Sequence, residues 1–495
     1  MSELDERNVN DNADENVSEQ TEEYVNVEEM REEQIQSKFS YCMELLDSKK
    51  FSRFRSEIEE LNPIDIADFF TQIPMENIPM VFKLVDKGRA ADIFSELDPE
   101  LQEKIINAMT DSEISFIIED LFIDDAVDMI EELPANIVTR IMRVAKPETR
   151  KQINRFLAYP EFSAGSVMTA EFISLHKNMT CSQAIEYIKK TGIDKETVYT
   201  AYVTDERRVL EVTVSFKDLL FAKNNETIDC IANRELIFAS TVDDKEYVAD
   251  TIAKYGLLAL PIVDKEKRLV GIVTVDDAID VIQEEATEDI EIMAAITPTD
   301  KPYMKTGVWE TWKKRFPWLL ILMFSAIFSS AVITHYESAI GTYAILTAFV
   351  PMLMNTGGNA GSQSSVAIIR ALSLYEIEKK DFFRVVWKEF RVSFICALGL
   401  GLFCFAKTMA IDFGFQLTET LPNGVVQNNL YIAIIVSLTA FFAVVFAKFI
   451  GTILPMGAKR IGLDPAVMAS PFITTIVDTV TLILYFAIAS NFLKF

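Results

Sequence analysis

The sequence predicts a multidomain α plus α/β membrane protein with four parts. They are an N-terminal α-helical superhelix, a tandem α/β module, an acidic connecting helix and a five-helix transmembrane domain. Three observations predict it. An apolar motif recurs every twelve residues between Ile66 and Ala145, a strand–turn–strand phrase occurs twice between residues 161 and 274, and five long apolar segments follow residue 300. Charge divides the chain in the same way. The formal net charge is −27 over 495 residues, yet residues 301–495 carry 16 Lys and Arg against 10 Asp and Glu, which leaves −33 on the first 300. An acidic half of that kind argues against a nucleic-acid partner, because phosphate binding needs basic surface. It is also repelled by an anionic leaflet unless cations neutralise it.

Residues 1–38 read as an acidic, disordered tail, and the first 35 residues contain no apolar stretch of the kind a signal peptide needs. The superhelix is expected over 39–160. Phe69, Val81, Ile93, Ile105, Ile117, Met129 and Ile141 share one phase of the repeat, their immediate successors share a second, and Ile73, Val85, Leu97, Met109, Leu121, Leu133 and Ala145 a third. Apolar residues at i, i+1 and i+4 give each unit one helical face, and Asp98-Pro99 and Leu133-Pro134 punctuate the units. Short helices stacked in register make a small α-solenoid. Its carboxylates, among them Asp92, Asp124, Asp125 and Asp128, are a solvated face by default.

The tandem module occupies 161–274. One half reads Ala201–Asp205 then Val209–Asp218, the other Leu260–Asp264 then Leu269–Asp277, and each closes on a Ser/Thr-x-x-Asp phrase. This pattern resembles paired CBS domains, a regulatory module. The resemblance implies that Ser215, Asp218, Thr274 and Asp277 contact a nucleotide's phosphate or ribose. Capping of the following helix is the alternative. Glu211 stands where the second copy has Gly271, which sets a carboxylate near any phosphate.

Residues 275–300 form the acidic connecting, or plug, helix. Between Val275 and Ile296 lie Asp276, Asp277, Asp280, Glu284, Glu285, Glu288 and Asp289, with an apolar stripe of Ile279, Ile282, Ala286, Ile290 and Met293. Like charges at helical spacing repel by tenths of a kcal/mol per pair, roughly. A bivalent cation would relieve that repulsion, and an exposed linker helix is the plainer alternative.

The transmembrane domain covers 301–495, with spans expected near 317–334, 340–368, 392–411, 430–454 and 467–493. Lys313, Lys314 and Arg315 precede the first span. Arg370, Lys379, Lys380, Arg384, Lys388 and Arg391 fill the second link, and Lys459 and Arg460 the fourth. This bias predicts a cell-membrane protein with a cytoplasmic N-terminus and an extracytoplasmic C-terminus. The second span contains Asn355, Gly357-Gly358-Asn359 and Gln363. Such a run means close packing through small residues or a polar pathway, and Asn359 and Gln363 favour the pathway.

Asp478 lies alone midway along the apolar segment Met468–Phe492, which has no basic residue. A carboxylate at that depth costs roughly 2.5–3.5 kcal/mol, so it needs a cation, a proton or a basic group. Thr474 precedes it by one helical turn and shares its face. Pro465 and Pro471 are expected to break the backbone ladder and free carbonyls for coordination. Asp478 is expected about 18–20 Å from the inner end.

The order of these parts, together with Tyr159–Thr169, Glu284–Asp289, Gly357–Gln363 and Ser470–Asp478, resembles the MgtE family of magnesium transporters. The resemblance implies a homodimeric, Mg²⁺-selective channel for passive influx that closes when its cytosolic domains bind Mg²⁺. It implies a selectivity site at Asp478, pore neighbours at Asn359 and Thr474, and a cytosolic mouth at Asp464. Asp277, Asp280, Glu285, Glu288 and Asp289 match regulatory positions, as do Asp244, Glu246 and Asp125. Gly256 departs from the pattern where an acidic residue is common, and ATP on the CBS pair stays open. Transport of Mn²⁺ or Co²⁺, or a CBS-regulated sensor without transport, are the alternatives. An intramembrane enzyme is disfavoured by only two histidines and no HExxH phrase. An anion channel is disfavoured by Asp478. Five cysteines without CxxC spacing fit a reduced cytosolic compartment.

Overall fold

A computed structural model of the chain describes residues 30–299, 301, 303–337, 341, 343–420, 426–468 and 470–493. These fall into two compact units, up to Ile282 and from Gln283 onward. Most of the expected acidic tail, residues 1–29, lies outside the described residues. Residues 30–38 correct that expectation, because they open helix α1, which spans 30–47. Phe39, Cys42 and Leu45 on α1 are each 2% exposed within the helical core, and their burial holds the segment in place.

Helices α2 (Phe51–Ile58), α3 (Pro63–Gln72), α4 (Ile78–Phe82) and α5 (Ala90–Ser95) continue the first unit. Then α6 (Pro99–Ala108), α7 (Asp111–Asp120), α8 (Ile123–Glu132), α9 (Ala135–Val144) and α10 (Pro147–Phe156) begin twelve residues apart. Proline at the first helical position starts α3, α6 and α10, where its missing N–H costs nothing. A reciprocal Thr110–Glu113 capping box starts α7. α3 packs on α5, α7 on α9 and α8 on α10, which is the alternating stack of a superhelix. Phe69, Phe70, Ile93, Ile105 and Ile141, all repeat positions, are 0% exposed.

Two three-stranded sheets of identical topology follow. In the first, β1 (Ile173–Leu175) is parallel to β2 (Thr200–Thr204), which is antiparallel to β3 (Leu210–Ser215). In the second, β4 (Ala239–Ser240), β5 (Ala259–Val263) and β6 (Leu269–Thr274) repeat the arrangement. Registers correspond, Thr200 opposite Ser215 and Ala259 opposite Thr274, and each hairpin has an irregularity near its far end. Reciprocal hydrogen bonds join the two hairpin tips, Leu210 N to Lys267 O at 3.0 Å and Leu269 N to Arg208 O at 2.9 Å. Helix α11 (Cys181–Thr191) covers the first sheet, and α12 (Phe216–Phe221) and α13 (Ile228–Ile231) follow it. Helix α14 (Lys245–Tyr255) packs in the second half, whose core runs on into that of the superhelix. Gly271 is required where it stands, since a methyl group there would meet the Thr169 carbonyl at 2.6 Å. Helix α15 (Val275–Met293) leaves β6 directly and crosses from the first unit into the second.

Five long helices build the second unit: Val308–His335, Ile345–Ser373, Phe382–Lys407, Asn429–Ile461 and Ser470–Leu493. The first, third, fourth and fifth lie in segments apolar and long enough to cross a membrane. The second has the length, 29 residues, but carries the polar run at its centre. It packs against the fourth and fifth helices, with the third against the fourth and the first against the fifth.

Candidate cation path and regulatory carboxylates

Helix two has two unlike faces. At 100° per residue, Gly357, Gly361, Ser364 and Ser365 cluster on one side, and all four are buried. Asn355, Asn359 and Gln363 lie on the opposite side and are exposed on the single chain. The buried side is built for close approach. A methyl group on Gly357 would meet Thr481 Oγ1 at 2.9 Å, and one on Gly361 would meet Ile473 Cγ2 at 2.9 Å and the Ala447 carbonyl at 3.2 Å. One on Gly451 of helix four would overlap the Gly361 carbonyl. The close-packing reading of the polar run is therefore met on one face, while the other carries an exposed amide stripe.

Gly358 sits at the edge between these faces. A methyl group there would lie 2.6 Å from Thr474 Cγ2 and 3.8 Å from Asp478 Oδ1. The structure thus brings Thr474 and Asp478 to the backbone next to Asn359, whose amide donates to Asn355 Oδ1 at 3.2 Å. Among the described residues no Lys or Arg forms an ion pair with Asp478. Near the prolines, Pro471 O accepts from the hydroxyls of Thr474 (3.0 Å) and Thr475 (2.8 Å), and Met468 O accepts from Ser365 Oγ at 2.9 Å. Pro465–Met468 forms a separate 3-10 turn and helix five begins at Ser470, which puts Asp478 eight residues, about 12 Å, into that helix.

At the opposite end of helix two, the last turns of α15 pack on it. Ile292 and Met293 contact the pair Ile369 and Ala466. Ser373 Oγ donates to Asp289 Oδ2 at 3.4 Å. Burial raises the Asp289 carboxyl above its ordinary range, the nearby charge of Asp464 raises it further, and the Ser373 hydrogen bond opposes both. Asp464 is exposed and its Oδ1 accepts from Ala466 N at 2.8 Å. Glu285 and Glu288 are partly buried on the same stretch of α15.

In the first unit, carboxylates from distant parts of the chain meet. Asp124 and Asp125 begin α8, Asp277 begins α15, and Glu171 and Glu196 flank β1 and η-turn Gly192–Asp194. Burial pushes Asp125 up to about 6, with Asp277, Glu96 and Asp92 adding to it. Burial and then Asp277, Asp276 and Asp125 push Glu196 up to about 7. Asp124 is raised well above the usual range by burial and by Asp125, Asp277, Glu196 and Glu171. Its Oδ1 is buried without a hydrogen bond. Asp128, on the exposed rim, is pushed up to about 7, chiefly by burial and Asp125. Asp277 is raised by burial against the hydrogen bonds from Thr274. Exposed Asp280 adds its charge to Glu96. No three His, Cys, Asp or Glu among the described residues converge closely enough to hold a bare metal ion.

Other expected sites have structural work. Asp244 caps α14, accepting from Glu246 N at 2.9 Å, so the pair sits in one helix start. Ser215 Oγ accepts from Asp218 N at 3.0 Å and donates to Asp218 Oδ2 at 2.7 Å. Thr274 Oγ1 donates to Asp277 Oδ2 in the same way. Ser215 is thus the cap of α12, while in the second copy the Asp277 carboxylate accepts from the Thr274 N–H and hydroxyl. Ser215 and Asp218 also line a 180 Å³ cavity with Thr200, Tyr202, Asn233 and Glu235, and Thr274 does not line it. That volume is below the roughly 300–1,000 Å³ usual for ligand pockets. Glu211, expected near a phosphate, instead pairs with Lys177 at 3.2 Å. Gly256 is the left-handed C-cap of α14 (φ 62°), which explains why glycine serves there.

Sequence reasoning passed over Asp124 and Glu196 as metal candidates, and it passed over Lys448. Lys448 is 6% exposed inside helix four, and its Nζ lies 3.3 Å from Ser364 Oγ, which donates to Glu389 Oε2 at 3.0 Å. A lysine within an apolar run was the available signal.

A superhelix, a paired α/β module and a bundle of long apolar helices around a lone carboxylate define a membrane transporter with a regulatory half outside its apolar helices. Comparison with known proteins agrees. A family model described as "Divalent cation transporter" (MgtE) matches residues 350–488, "MgtE intracellular N domain" matches 61–162, and "CBS domain" matches 228–284. The chain is 32% identical over 444 residues to the magnesium transporter MgtE of Thermus thermophilus, covering 89% of this chain and 95% of that protein. It is 30% identical over 453 residues to the Bacillus subtilis magnesium transporter MgtE, covering 91% and 96%. It also resembles the solved cytosolic domain of the Mg²⁺ channel MgtE in complex with ATP, at 32% identity and TM-score 0.47, over 49% of this chain and 99% of that one. The chain belongs to the MgtE family of magnesium transporters.

Proposed function

We propose that this chain conducts Mg²⁺ passively into the cell as a homodimer and that internal Mg²⁺ closes it. The relationship that carries the reading is Asp478 beside Gly358, with Thr474 on the same face and no basic ion-pair partner among the described residues. Mg²⁺ gives up its water reluctantly and is held by one or two carboxylates plus waters. Two copies of Asp478 about a two-fold axis would supply two negative charges to a largely hydrated dication. The exposed stripe Asn355, Asn359 and Gln363 is unsuited to lipid and supports a path between two copies. Asp464 with Asp289 would form the cytosolic mouth, and the Lys/Arg bias supports that side as cytoplasmic.

Closure follows from the carboxylates that the fold crowds together. Without cation, Asp124, Asp125, Asp277 and Glu196 repel across α8, α15 and the first CBS half. Mg²⁺ bridging through its waters would relieve the repulsion and hold the start of α15, whose other end carries Asp289, Ile292 and Met293 at the mouth. Glu285, Glu288 and Asp280 add to this field. Asp244 and Glu246 act, if at all, with groups beyond this set. A nucleotide reading of Ser215 and Asp218 is supported by the cavity they line, which must enlarge to admit ATP.

Ion-resolved uptake into proteoliposomes, with and without a lumenal Mg²⁺ load, tests the reading. Mg²⁺ uptake should exceed that of Mn²⁺, Co²⁺ and Ca²⁺, fall with lumenal load, and vanish in Asp478→Ala. Uptake that persists undiminished in Asp478→Ala rejects the path. A response to load that survives removal of residues 1–290 rejects the gate.

A further inference from the structure

The chain Lys448–Ser364–Glu389, buried at its first two members and partly buried at the third, joins helices four, two and three. Charges inside a membrane domain are costly and persist where they are paired and put to use. Lys448 and Ser364 are 6% and 2% exposed. Ser364 is the hub, 3.3 Å from the ammonium of Lys448 and donating at 3.0 Å to the Glu389 carboxylate. The hub lies one turn from Gly361, where helices two and four touch through Gly361 and Gly451. Its neighbour Ser365, 0% exposed, fixes the other flank by donating to Met468 O. On a helix, Ser364 stands about 140° from the centre of the Asn355, Asn359 and Gln363 stripe. Between Gly357 and Ser365 the packed face offers glycines and small side chains. There the two charges add an anchor through Ser364 to the one that Ser365 makes.

We propose that Lys448 and Glu389 are positioning residues. Their opposite charges, bridged through buried Ser364, fix the rotation of helix two and so aim the amide stripe at the permeation path beside Asp478. The inference rests on the proposed path, so its test needs one readout that does not depend on transport.

Single cysteines are placed at Asn355, Asn359, Ala360 and Gln363 in the full-length protein with its five native cysteines replaced by alanine. Labelling with a water-soluble thiol reagent in proteoliposomes then maps the water-facing side of helix two. The backgrounds are wild type, Lys448→Met, Lys448→Arg and the double variant Lys448→Met/Glu389→Gln, which buries no unpaired charge. Wild type should label at 355, 359 and 363 and at least tenfold more slowly at 360. The double variant should fold, shown by a melting temperature near wild type, yet label at 360 at a rate within about threefold of 359. Lys448→Arg should restore the wild-type pattern. In the same vesicles the Mg²⁺/Ca²⁺ uptake ratio should fall at least tenfold in the double variant and recover in Lys448→Arg. A stably folded double variant with the wild-type labelling pattern overturns the latch. A shifted pattern in a protein that moves no Mg²⁺ in any background upholds the latch and refutes the transport reading instead.

Discussion

Gly358 and Asp478 face each other across the crossing of helices two and five, so close that a methyl group on the glycine would lie 3.8 Å from the carboxylate oxygen. The same methyl would overlap Thr474 Cγ2 at 2.6 Å. The acidic group therefore rests beside bare backbone, and bulk there would displace Thr474, one helical turn before it.

Two substitutions separate charge from shape at this point. Asp478→Asn keeps the volume and removes the charge. Losing one charge-assisted contact, about 1.5–3 kcal/mol, should lower Mg²⁺ uptake by about ten- to a hundredfold. Gly358→Ala keeps the charge and forces the helices apart, an overpacking cost of about 1–3 kcal/mol. It should lower uptake while reducing thermal stability, which Asp478→Asn leaves unchanged or raises. Proteoliposome uptake and melting of the same preparations measure both.

The superhelix was legible because burial imposes a period: repeat positions such as Phe69, Ile93 and Ile141 are the residues with no exposed surface. The tandem sheets were legible because both halves repeat one strand phrase, and Asp478 because nothing else in its segment is charged. What the sequence hid depends on contacts between distant positions. Asp124 and Glu196 look like solvated carboxylates until α8 and the first CBS half meet. Lys448 looks like an interruption in an apolar run until Ser364 links it to Glu389. Ser215 and Asp218 show why spacing alone leaves two readings, since a spacing suited to a ligand is also the spacing of a cap.

The crowded carboxylates make stability depend on pH with a definite sign. Asp125 rises from an ordinary 3.8 to about 6 and Glu196 from 4.5 to about 7 on folding. The folded protein binds these protons more tightly than the unfolded chain. Their favourable contribution is complete below about pH 4 and is lost as pH rises through 6 to 7. In chelator, the melting temperature of the cytosolic half should fall by several degrees between pH 5 and pH 8. Mg²⁺ should restore it at pH 8 and do little at pH 5. Asp125→Asn with Glu196→Gln should flatten the chelator profile, and an unchanged slope would count against the cluster.

Asp289 is the carboxylate that α15 presents to the end of helix two, held by Ser373 and repelled by Asp464. Asp289→Asn removes the repulsion but also the charge that a bridging cation would use. Uptake should then persist at lumenal Mg²⁺ levels that silence the wild type, a shift of the inhibitory concentration by about tenfold for a loss of about 1.4 kcal/mol. Uptake with an empty lumen should not change. Inhibition curves for wild type and variant distinguish this from a general loss of transport.

Asp244 supplies a control that divides capping from metal binding. Its carboxylate accepts from Glu246 N at the start of α14, and removal of such a cap costs about 0.5–2 kcal/mol. Asp244→Ala should therefore lower the melting temperature equally in chelator and in Mg²⁺. Asp244→Ser keeps a capping oxygen without the charge and should recover most of the loss. If Asp244 served mainly as a cation ligand, the serine variant would match wild type in chelator and lose its Mg²⁺ stabilisation. Melting curves of the three proteins, taken with and without Mg²⁺, give opposite patterns for the two roles.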